Sequence, residues 1–216
     1  FRSYENRHPI ELRNFIEVKI KQYFPHYTSA SYQDTKQSLM DKFAIAQVVL
    51  MAPGRYLSDE IHSAGKNIKL IQLWSSGFDK INIDACRKFR QKVAVNGGAN
   101  SASVAEHTIL LMLAASRRLN EMHNRVITVN WTGNGHGLNL QLLSGKTLGL
   151  IGMGNIGSKV ASLAKAFDMR VMYNDPYVAT EKSFLRVELH KLLLDSDYIS
   201  LHMRPTGGCN IRRERI

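Results

Sequence analysis

The sequence predicts an α/β protein with two doubly wound lobes, and three features of its 216 residues support this fold class. Short apolar runs of strand length alternate with stretches of helical periodicity, which is the pattern of a parallel sheet with crossover helices. A long apolar helix interrupts this alternation after residue 101, and the alternation starts again at residue 146. Because the length is sufficient for two small domains, we place a lobe boundary near residue 101.

Helices and strands alternate through the first hundred residues. The run AQVVLMA, residues 46–52, is apolar without interruption, as expected for a strand that is buried on both faces. The predicted helices of this half are 10–24, 57–64 and 81–89, and the predicted strands are 46–52, 69–74 and 92–95.

The connection between the lobes is predicted to be a buried helix that starts with a capping box. Ser103 would be the N-cap and Glu106 the third residue, each satisfying a backbone N–H group of the first turn. The apolar run continues to Ala115, and Arg117 and Arg118 place cations at the negative end of the helix. Residues 130–137 are rich in glycine and asparagine and are predicted to form a loop.

A βαβαβ pattern follows from residue 146. The apolar face of its first helix should lie on a parallel sheet. The predicted strands are 147–151, 170–173 and 198–202, and the predicted helices are 155–167 and 187–194.

The junction of the first strand and first helix in this half contains a GxGxxG motif. Gly152 allows the tight turn, Gly154 lets the backbone approach a pyrophosphate, and Gly157 permits close packing of the helix on the strand. The N-terminus of the helix offers N–H groups and a partial positive charge to phosphates. A glycine motif alone is weak evidence, but its position between a strand and a helix predicts a dinucleotide site.

An acidic residue follows the next strand at the expected distance. Asp175 lies 18 positions after Gly157, close to the ~20 residues typical of the carboxylate that binds an adenosine ribose. A carboxylate there would accept hydrogen bonds from both ribose hydroxyls and would repel a 2′-phosphate, which predicts NAD over NADP. The alternative is that Asp175 only caps the turn before Pro176.

Composition and charge exclude several classes of protein. The net charge of +11 is divided evenly, with 15 basic and 9 acidic residues before position 101 and 14 and 9 after it. A nucleic-acid-binding protein usually concentrates its cations on one face, so we expect no nucleic-acid partner.

The two cysteines have no metal-ligand spacing, and we expect no metal. No apolar run approaches the ~18 to 20 residues that span a bilayer, and the first residues lack signal-peptide character, which predicts a cytoplasmic protein without a membrane partner.

The chain resembles the family of D-isomer-specific 2-hydroxyacid dehydrogenases. This family includes phosphoglycerate dehydrogenase-like, formate dehydrogenase-like and glyoxylate/hydroxypyruvate reductase-like enzymes. The glycine motif and three segments carry the resemblance: LWSSGFDKI at 73–81, GGANSASVAEHT at 97–108 and DSDYISLH at 195–202. The resemblance implies a flavodoxin-like substrate lobe in residues 1–100. It also implies a Rossmann NAD-binding lobe in residues 101–216, which is incomplete because three of six strands are predicted.

The resemblance also implies a set of site residues. The backbone N–H groups of Ser76 and Gly77 would hold the carboxylate of a 2-oxo acid, and Asn100 would help to bind it. The implied cofactor residues are Ser101, Gly152, Gly154, Asn155, Ile156, Gly157, Asp175, His202 and Thr206. Ser75 and Ser76 could instead be plain turn residues. His107 is predicted to be a packed helical histidine, and His202 is interpreted as structural or adjacent to the cofactor.

Hydride transfer to a 2-oxo acid needs a cation, a general acid and a carboxylate that tunes the acid. The resemblance implies an Arg, a His and a Glu in these roles, all expected after Thr206 and beyond Ile216. Residues 207–216 depart from the family pattern, with Cys209 at the position of a threonine, and Arg212, Arg213 and Arg215 are interpreted as a solvated end. We therefore expect a fragment without catalytic residues or turnover.

Three functions are compatible with these patterns. The first is an NAD-dependent oxidoreductase of 2-hydroxy acids, which by resemblance would form a homodimer through the helix near Ser103 and the loop around Trp131. The second is an NAD-sensing, co-repressor-like binding protein with the same fold and no turnover. The third, a nucleic-acid-binding module, would show a steep dependence of affinity on salt.

Overall fold

The computed structural model describes residues 18–24, 26–30, 33–51, 57–78, 81–130, 140–178 and 183–203. The chain divides into two compact units, Phe1–Asn96 and Gly97–Ile216. Each unit has a parallel sheet with helices, so the α/β fold class is confirmed. The assignment of the two units to a substrate lobe and a coenzyme lobe stays a prediction.

The first unit has a three-stranded parallel sheet in the order β1-β2-β3. Residues 18–23 are helical, and the rest of the predicted helix 10–24, apart from residue 24, lies outside the described residues. The further elements are α1 (Lys36–Ile45), β1 (Val48–Met51), α2 (Asp59–Ala64), β2 (Leu70–Leu73), α3 (Ile83–Lys88) and β3 (Lys92–Ala94).

The core of the first unit lies on β2. Ile71 and Leu73 are fully buried there and pack with Phe43 of α1. The edge strand β1 is different, since Val48 and Leu50 on one face are 60% and 45% exposed. The prediction of a strand buried on both faces is therefore wrong for β1, because only the face that carries Val49 and Met51 packs on this core.

A buried polar cluster joins α2 to the segment before β3. The amide nitrogen of Gln91 donates to the backbone oxygens of His62 and Gly65, both at 2.9 Å. Its amide oxygen therefore faces the ring of His62, at 2.6 Å from Nδ1. Since an amide oxygen only accepts, Nδ1 of His62 carries the proton.

The second unit has a four-stranded parallel sheet in the order β6-β5-β4-β7. This is the order 3-2-1-4 of a dinucleotide-binding sheet, in which the crevice lies where the order reverses beside the first strand. The elements are α4 (Ser101–Ser116), α5 (Leu119–Ile127), β4 (Thr147–Ile151), α6 (Asn155–Ala166), β5 (Arg170–Asn174), β6 (Leu185–Arg186), α7 (Leu189–Asp195) and β7 (Tyr198–Leu201).

Two of these elements, α5 and β6, were not predicted. Strand β6 has only two residues, too few for a periodic pattern, and it makes the number of strands four where three were predicted. Helix α5 follows α4 after Arg118, whose left-handed backbone (φ 50°) bends the chain between the two helices. Helix α4 itself ends at Ser116 with Arg117 as its C-cap, so the two predicted cations directly follow its last turn.

Helix α4 begins three residues earlier than the capping box predicts. Its N-cap is Asn100, and Ser103 lies inside the first turn, so the predicted capping box is wrong. The turn before the helix decides the start: Gly98 has φ +83°, and the Ser101 hydroxyl donates back to its carbonyl at 2.7 Å. Only one face of α4 is buried, whereas Leu110 and Leu111 are 52% and 56% exposed.

The core of the second unit joins β4, β5, α4 and α6. Leu148, Leu150 and Tyr173 of the strands are fully buried. Ala105 of α4 and Val160 of α6 are fully buried in the same cluster. Small side chains on these two helices let them pack closely, which fixes the beginning of each relative to the carboxyl end of β4.

Candidate functional site

The loop between β4 and α6 turns at Gly152, where only glycine fits. Its φ is +97°, and a Cβ there would lie 2.7 Å from the backbone oxygen of His202. The chain after β7 thus crosses directly over the turn. The Gly152 N–H donates to the Asn174 carbonyl at 2.9 Å, which extends the pairing of β4 with β5 into the loop.

The other two glycines of the motif differ in the space around them. A Cβ on Gly157 would collide with the Gly152 carbonyl oxygen, so α6 rests directly on the loop. A Cβ on Gly154 would meet no atom within 4 Å, and Gly154 is exposed. The open side of the loop is therefore at Gly154, which is where the motif requires the backbone to approach a phosphate.

The first turn of α6 supplies the donors at this open side. Gly154 is the N-cap, and the first hydrogen bond back to it comes from the Ser158 N–H at 3.0 Å. The N–H groups at the start of a helix have no partner within the helix. Those of Asn155 and Ile156 therefore lie at the positive end of α6, as an anion site requires.

Asp175 lies at the carboxyl end of β5 and binds the glycine loop. Its Oδ2 accepts from the Met153 N–H at 2.7 Å, and its Oδ1 accepts from the N–H groups of Tyr177 and Val178 at 2.8 and 3.2 Å. Burial opposes ionisation, but these hydrogen bonds and the positive charge of Arg186 outweigh it and lower the pKa of the carboxyl. The turn-capping alternative thus describes part of what Asp175 does, and the bond to Met153 adds a second part.

His202 holds the loop mainly through its backbone. Its N–H donates to the Ile151 oxygen at 2.8 Å, and its carbonyl covers Gly152. Its Nε2 lies 2.9 Å from the Ser200 hydroxyl, and burial lowers the pKa of the ring, which favours the neutral form. These contacts give His202 a structural role, its place beside the cofactor stays a prediction, and Thr206 lies outside the described residues.

The beginning of α4 reaches the same loop. A Cβ on Gly98 would lie 2.9 Å from the side-chain nitrogen of Asn155, so Gly98 lies against the first residue of α6. Ser101 is buried and its hydroxyl is used by Gly98, while Asn100 is exposed. The roles of Asn100 in substrate binding and of Ser101 in cofactor binding stay predictions.

The segment of Ser76 and Gly77 belongs to the first unit, where it follows β2. The Ser75 hydroxyl donates to the Gly77 oxygen at 3.1 Å, and the Ser76 hydroxyl donates to the Asn96 oxygen at 3.1 Å. Both hydroxyls stabilise the turn, and the predicted carboxylate contact would come from the backbone N–H groups. That contact stays a prediction.

Two contacts of the site were missed by sequence reasoning, the Met153 N–H and the approach of Gly98 to Asn155. Neither has a signal in local sequence, because each joins segments far apart in the chain.

The prediction of a packed histidine at 107 is wrong, since His107 is exposed on α4. Within the described ranges, no group of three or more His, Cys, Asp or Glu could hold a metal ion. No helix of that part of the chain is long and apolar enough to cross a membrane.

Comparisons with known proteins agree with this geometry. Residues 109–208 match the model of the NAD-binding domain of D-isomer specific 2-hydroxyacid dehydrogenases. The chain is 35% identical over 184 residues to hydroxypyruvate reductase of Thermotoga maritima, covering 84% of this chain and 60% of the relative. It is 32% identical over 200 residues to D-3-phosphoglycerate dehydrogenase of Archaeoglobus fulgidus, covering 90% and 35%. The chain thus spans about a third to three fifths of the length of these relatives.

Solved structures show the same similarity. D-Lactate dehydrogenase from Aquifex aeolicus, complexed with NAD and lactic acid, matches with a TM-score of 0.77 and 29% identity, covering 92% of this chain and 59% of that one. NAD-dependent formate dehydrogenase from Staphylococcus aureus, in complex with NAD, matches with a TM-score of 0.75 and 25% identity, covering 96% and 63%.

Proposed function

Through its NAD-binding domain the chain belongs to the family of D-isomer-specific 2-hydroxyacid dehydrogenases, and from this membership we propose that the whole protein transfers a hydride between NAD(H) and a small 2-hydroxy or 2-oxo acid. The observation that carries the proposal is the glycine-rich loop, which is open at Gly154 and fixed by Asp175 at the point where the strand order reverses. Bound NAD would supply the carbon that accepts or donates the hydride.

The residues of the second unit divide the binding of NAD among them. The N–H groups of Asn155 and Ile156 would bind the pyrophosphate at the N-terminus of α6. Asp175 would accept a hydrogen bond from the adenosine ribose, and its charge would repel the 2′-phosphate of NADP. Gly154 would leave room for the phosphates, since its free side meets no protein atom within 4 Å.

The substrate is proposed from relatives and from resemblance. The relatives named above reduce or oxidise hydroxypyruvate and 3-phosphoglycerate by their names, and lactic acid is bound in the Aquifex structure. A 2-oxo acid of this class would be held by the backbone N–H groups of Ser76 and Gly77 with help from Asn100. The Arg, Glu and His that would complete hydride transfer are expected outside residues 1–216.

Titration with NADH and NADPH tests the cofactor assignment. We expect NADH to quench protein fluorescence with a dissociation constant at least about tenfold lower than that of NADPH, a difference of about 1.4 kcal/mol. Folded protein that gives no NADH signal would refute the proposal, and equal affinities would refute the role of Asp175 in discrimination.

A panel of 2-oxo acids with NADH tests the reaction. We expect turnover from the full-length protein and none from residues 1–216 alone. NADH binding by the full-length protein without turnover on any acid would favour an NAD-sensing binding protein instead, and turnover by residues 1–216 would place the catalytic groups within them.

A homodimer belongs to the same proposal and is supported by the outer surface of α4 and α5. Leu110, Leu111, Val126 and Ile127 are all more than half exposed on these two helices, and large apolar side chains exposed together are typical of an interaction site. We expect Leu111→Asp to shift the protein from dimer to monomer in sedimentation, without changing its helical content.

Because the reaction would draw on a cellular NAD pool, we also propose a cytoplasmic location, which cell fractionation tests.

A further inference from the structure

We propose that Asp175 is a positioning residue for the glycine-rich loop, which it shapes through the Met153 N–H, and that it offers the ribose a single acceptor position. The inference rests on the proposed NAD site and assigns this acid a second task there. Recognition of the ribose, the direct task, affects NAD affinity only through contacts with the ribose hydroxyls. Shaping of the loop, the indirect task, affects the binding of the phosphates as well.

The number of acceptor positions follows from the hydrogen bonds. A carboxylate has about four lone-pair positions, two on each oxygen. Oδ1 of Asp175 already accepts from two N–H groups, and Oδ2 accepts from one. Within the described residues, one position therefore remains, on Oδ2. One ribose hydroxyl can use it, whereas the sequence predicted that both would bind.

The bond to Met153 determines which amides face the phosphates. Met153 stands between the first two glycines of the motif, and its side chain is buried in the core of the second unit. With its side chain in the core and its N–H on Oδ2 at 2.7 Å, the residue is fixed on both sides. The N–H of Met153 is thus directed away from the anion site, and the donors left for a pyrophosphate are those that follow Gly154.

A neutral amide cannot replace this carboxylate. Asparagine at position 175 would have one oxygen and one NH₂ group, and the NH₂ group only donates. If the oxygen faces Tyr177 and Val178, the NH₂ group opposes the Met153 N–H. If the oxygen faces Met153, the two N–H groups of the turn lose their acceptor. The first orientation releases the glycine-rich loop at Met153, and the second releases the turn after β5.

Ligands without ribose hydroxyls separate the two tasks. ADP carries the adenosine and the two phosphates, and 2′,3′-dideoxy-ADP keeps the phosphates but has no hydroxyl for Asp175. We expect Asp175→Asn to weaken 2′,3′-dideoxy-ADP by about tenfold or more in calorimetric titration of the full chain, because the loop is no longer held. The control is Asp195→Asn, an exposed carboxylate paired with Lys191, for which we expect no change.

The single acceptor position is tested on the wild-type protein. We expect one of 2′-deoxy-ADP and 3′-deoxy-ADP to bind about tenfold more weakly than ADP and the other to bind like ADP. Equal affinity of the wild type and Asp175→Asn for 2′,3′-dideoxy-ADP would overturn the positioning role. Losses with both deoxy ligands would overturn the single acceptor position.

Amide hydrogen exchange gives a measurement that needs no ligand. In the wild type we expect the Met153 amide to be protected, and in Asp175→Asn to exchange at least about tenfold faster. The Ser158 amide, bonded to the Gly154 oxygen, should be unchanged. A Met153 amide that exchanges freely in the wild type would overturn the inference even if the variant does not fold. Absence of ADP and NADH binding to the wild type would overturn the proposed function and leave the exchange result to decide the inference.

Discussion

Alanine substitutions at four glycines separate the stability of the loop from its capacity to bind phosphates. Gly152 combines a φ of +97° with a close backbone neighbour, and Gly154 has neither. Gly145 has φ +76°, but a Cβ there would meet no atom within 4 Å, so it reports the cost of the backbone conformation alone. Gly97, with open space around it and no positive φ, is the control for the substitution itself.

The expected free energies follow from these surroundings. A non-glycine residue with positive φ costs about 1 to 2 kcal/mol, which is the expected loss for Gly145→Ala. Gly152→Ala must also displace the His202 carbonyl, which lies 2.7 Å from the added Cβ, so we expect a loss of at least about 3 kcal/mol in the free energy of unfolding. Gly154→Ala and Gly97→Ala should stay within about 1 kcal/mol of the wild type.

NADH affinity should follow a different order. The methyl group of Gly154→Ala would occupy the space at the open side of the loop, and we expect at least about a tenfold loss of affinity, or 1.4 kcal/mol. Gly97→Ala and Gly145→Ala should bind NADH like the wild type. Urea denaturation followed by circular dichroism gives the stabilities, and fluorescence titration gives the affinities. A loss of stability in Gly154→Ala as large as in Gly152→Ala, or an unchanged affinity of Gly154→Ala for NADH, would contradict these expectations.

Two further predictions concern the buried amide of the first unit and an acidic cap of the second. Gln91→Ala leaves the His62 ring and two backbone oxygens without their partner. We therefore expect urea denaturation to show a loss of about 2 to 4 kcal/mol in the free energy of unfolding, with the exposed Gln37→Ala as control. A loss below about 1 kcal/mol would contradict this expectation. The Thr147 N–H and the Lys146 ammonium lower the pKa of Asp197 from its ordinary 3.8. The ionised carboxylate therefore stabilises the fold at pH values above 3.8. This stabilisation is lost as the pH falls through the lower pKa of the folded state. We expect Asp197→Asn to flatten the acid limb of unfolding free energy against pH, and an unchanged limb would show that other carboxylates control it.

The nucleotide motif could be predicted because its signals are local. The strand Thr147–Ile151 has the predicted bounds, and α6 ends one residue before the predicted end. An apolar run, a glycine with positive φ and a helix N-terminus lie within about twenty consecutive residues, so backbone geometry and short-range sterics determine their conformations. Asp175 was found from its spacing alone, because the length of one helix and one strand sets that spacing.

The features that could not be predicted depend on contacts between distant segments. Ser103 was assigned as the N-cap of α4, but Asn100 holds that position, since the turn at Gly98 beside Asn155 determines where the helix begins. Strand β1 was expected to be buried, but its place at the edge of the sheet leaves Val48 and Leu50 exposed.

The α/β alternation, the glycine-rich loop and the acid after the second strand of the second unit all follow from local sequence patterns. The hydrogen bonds that the acid makes depend on contacts between distant segments. Spacing predicts a carboxylate near a ribose, but the number of lone pairs it has left depends on which N–H groups approach it in three dimensions. The Met153 N–H lies 22 positions earlier in the chain, and parallel pairing of β4 with β5 is what brings the two together.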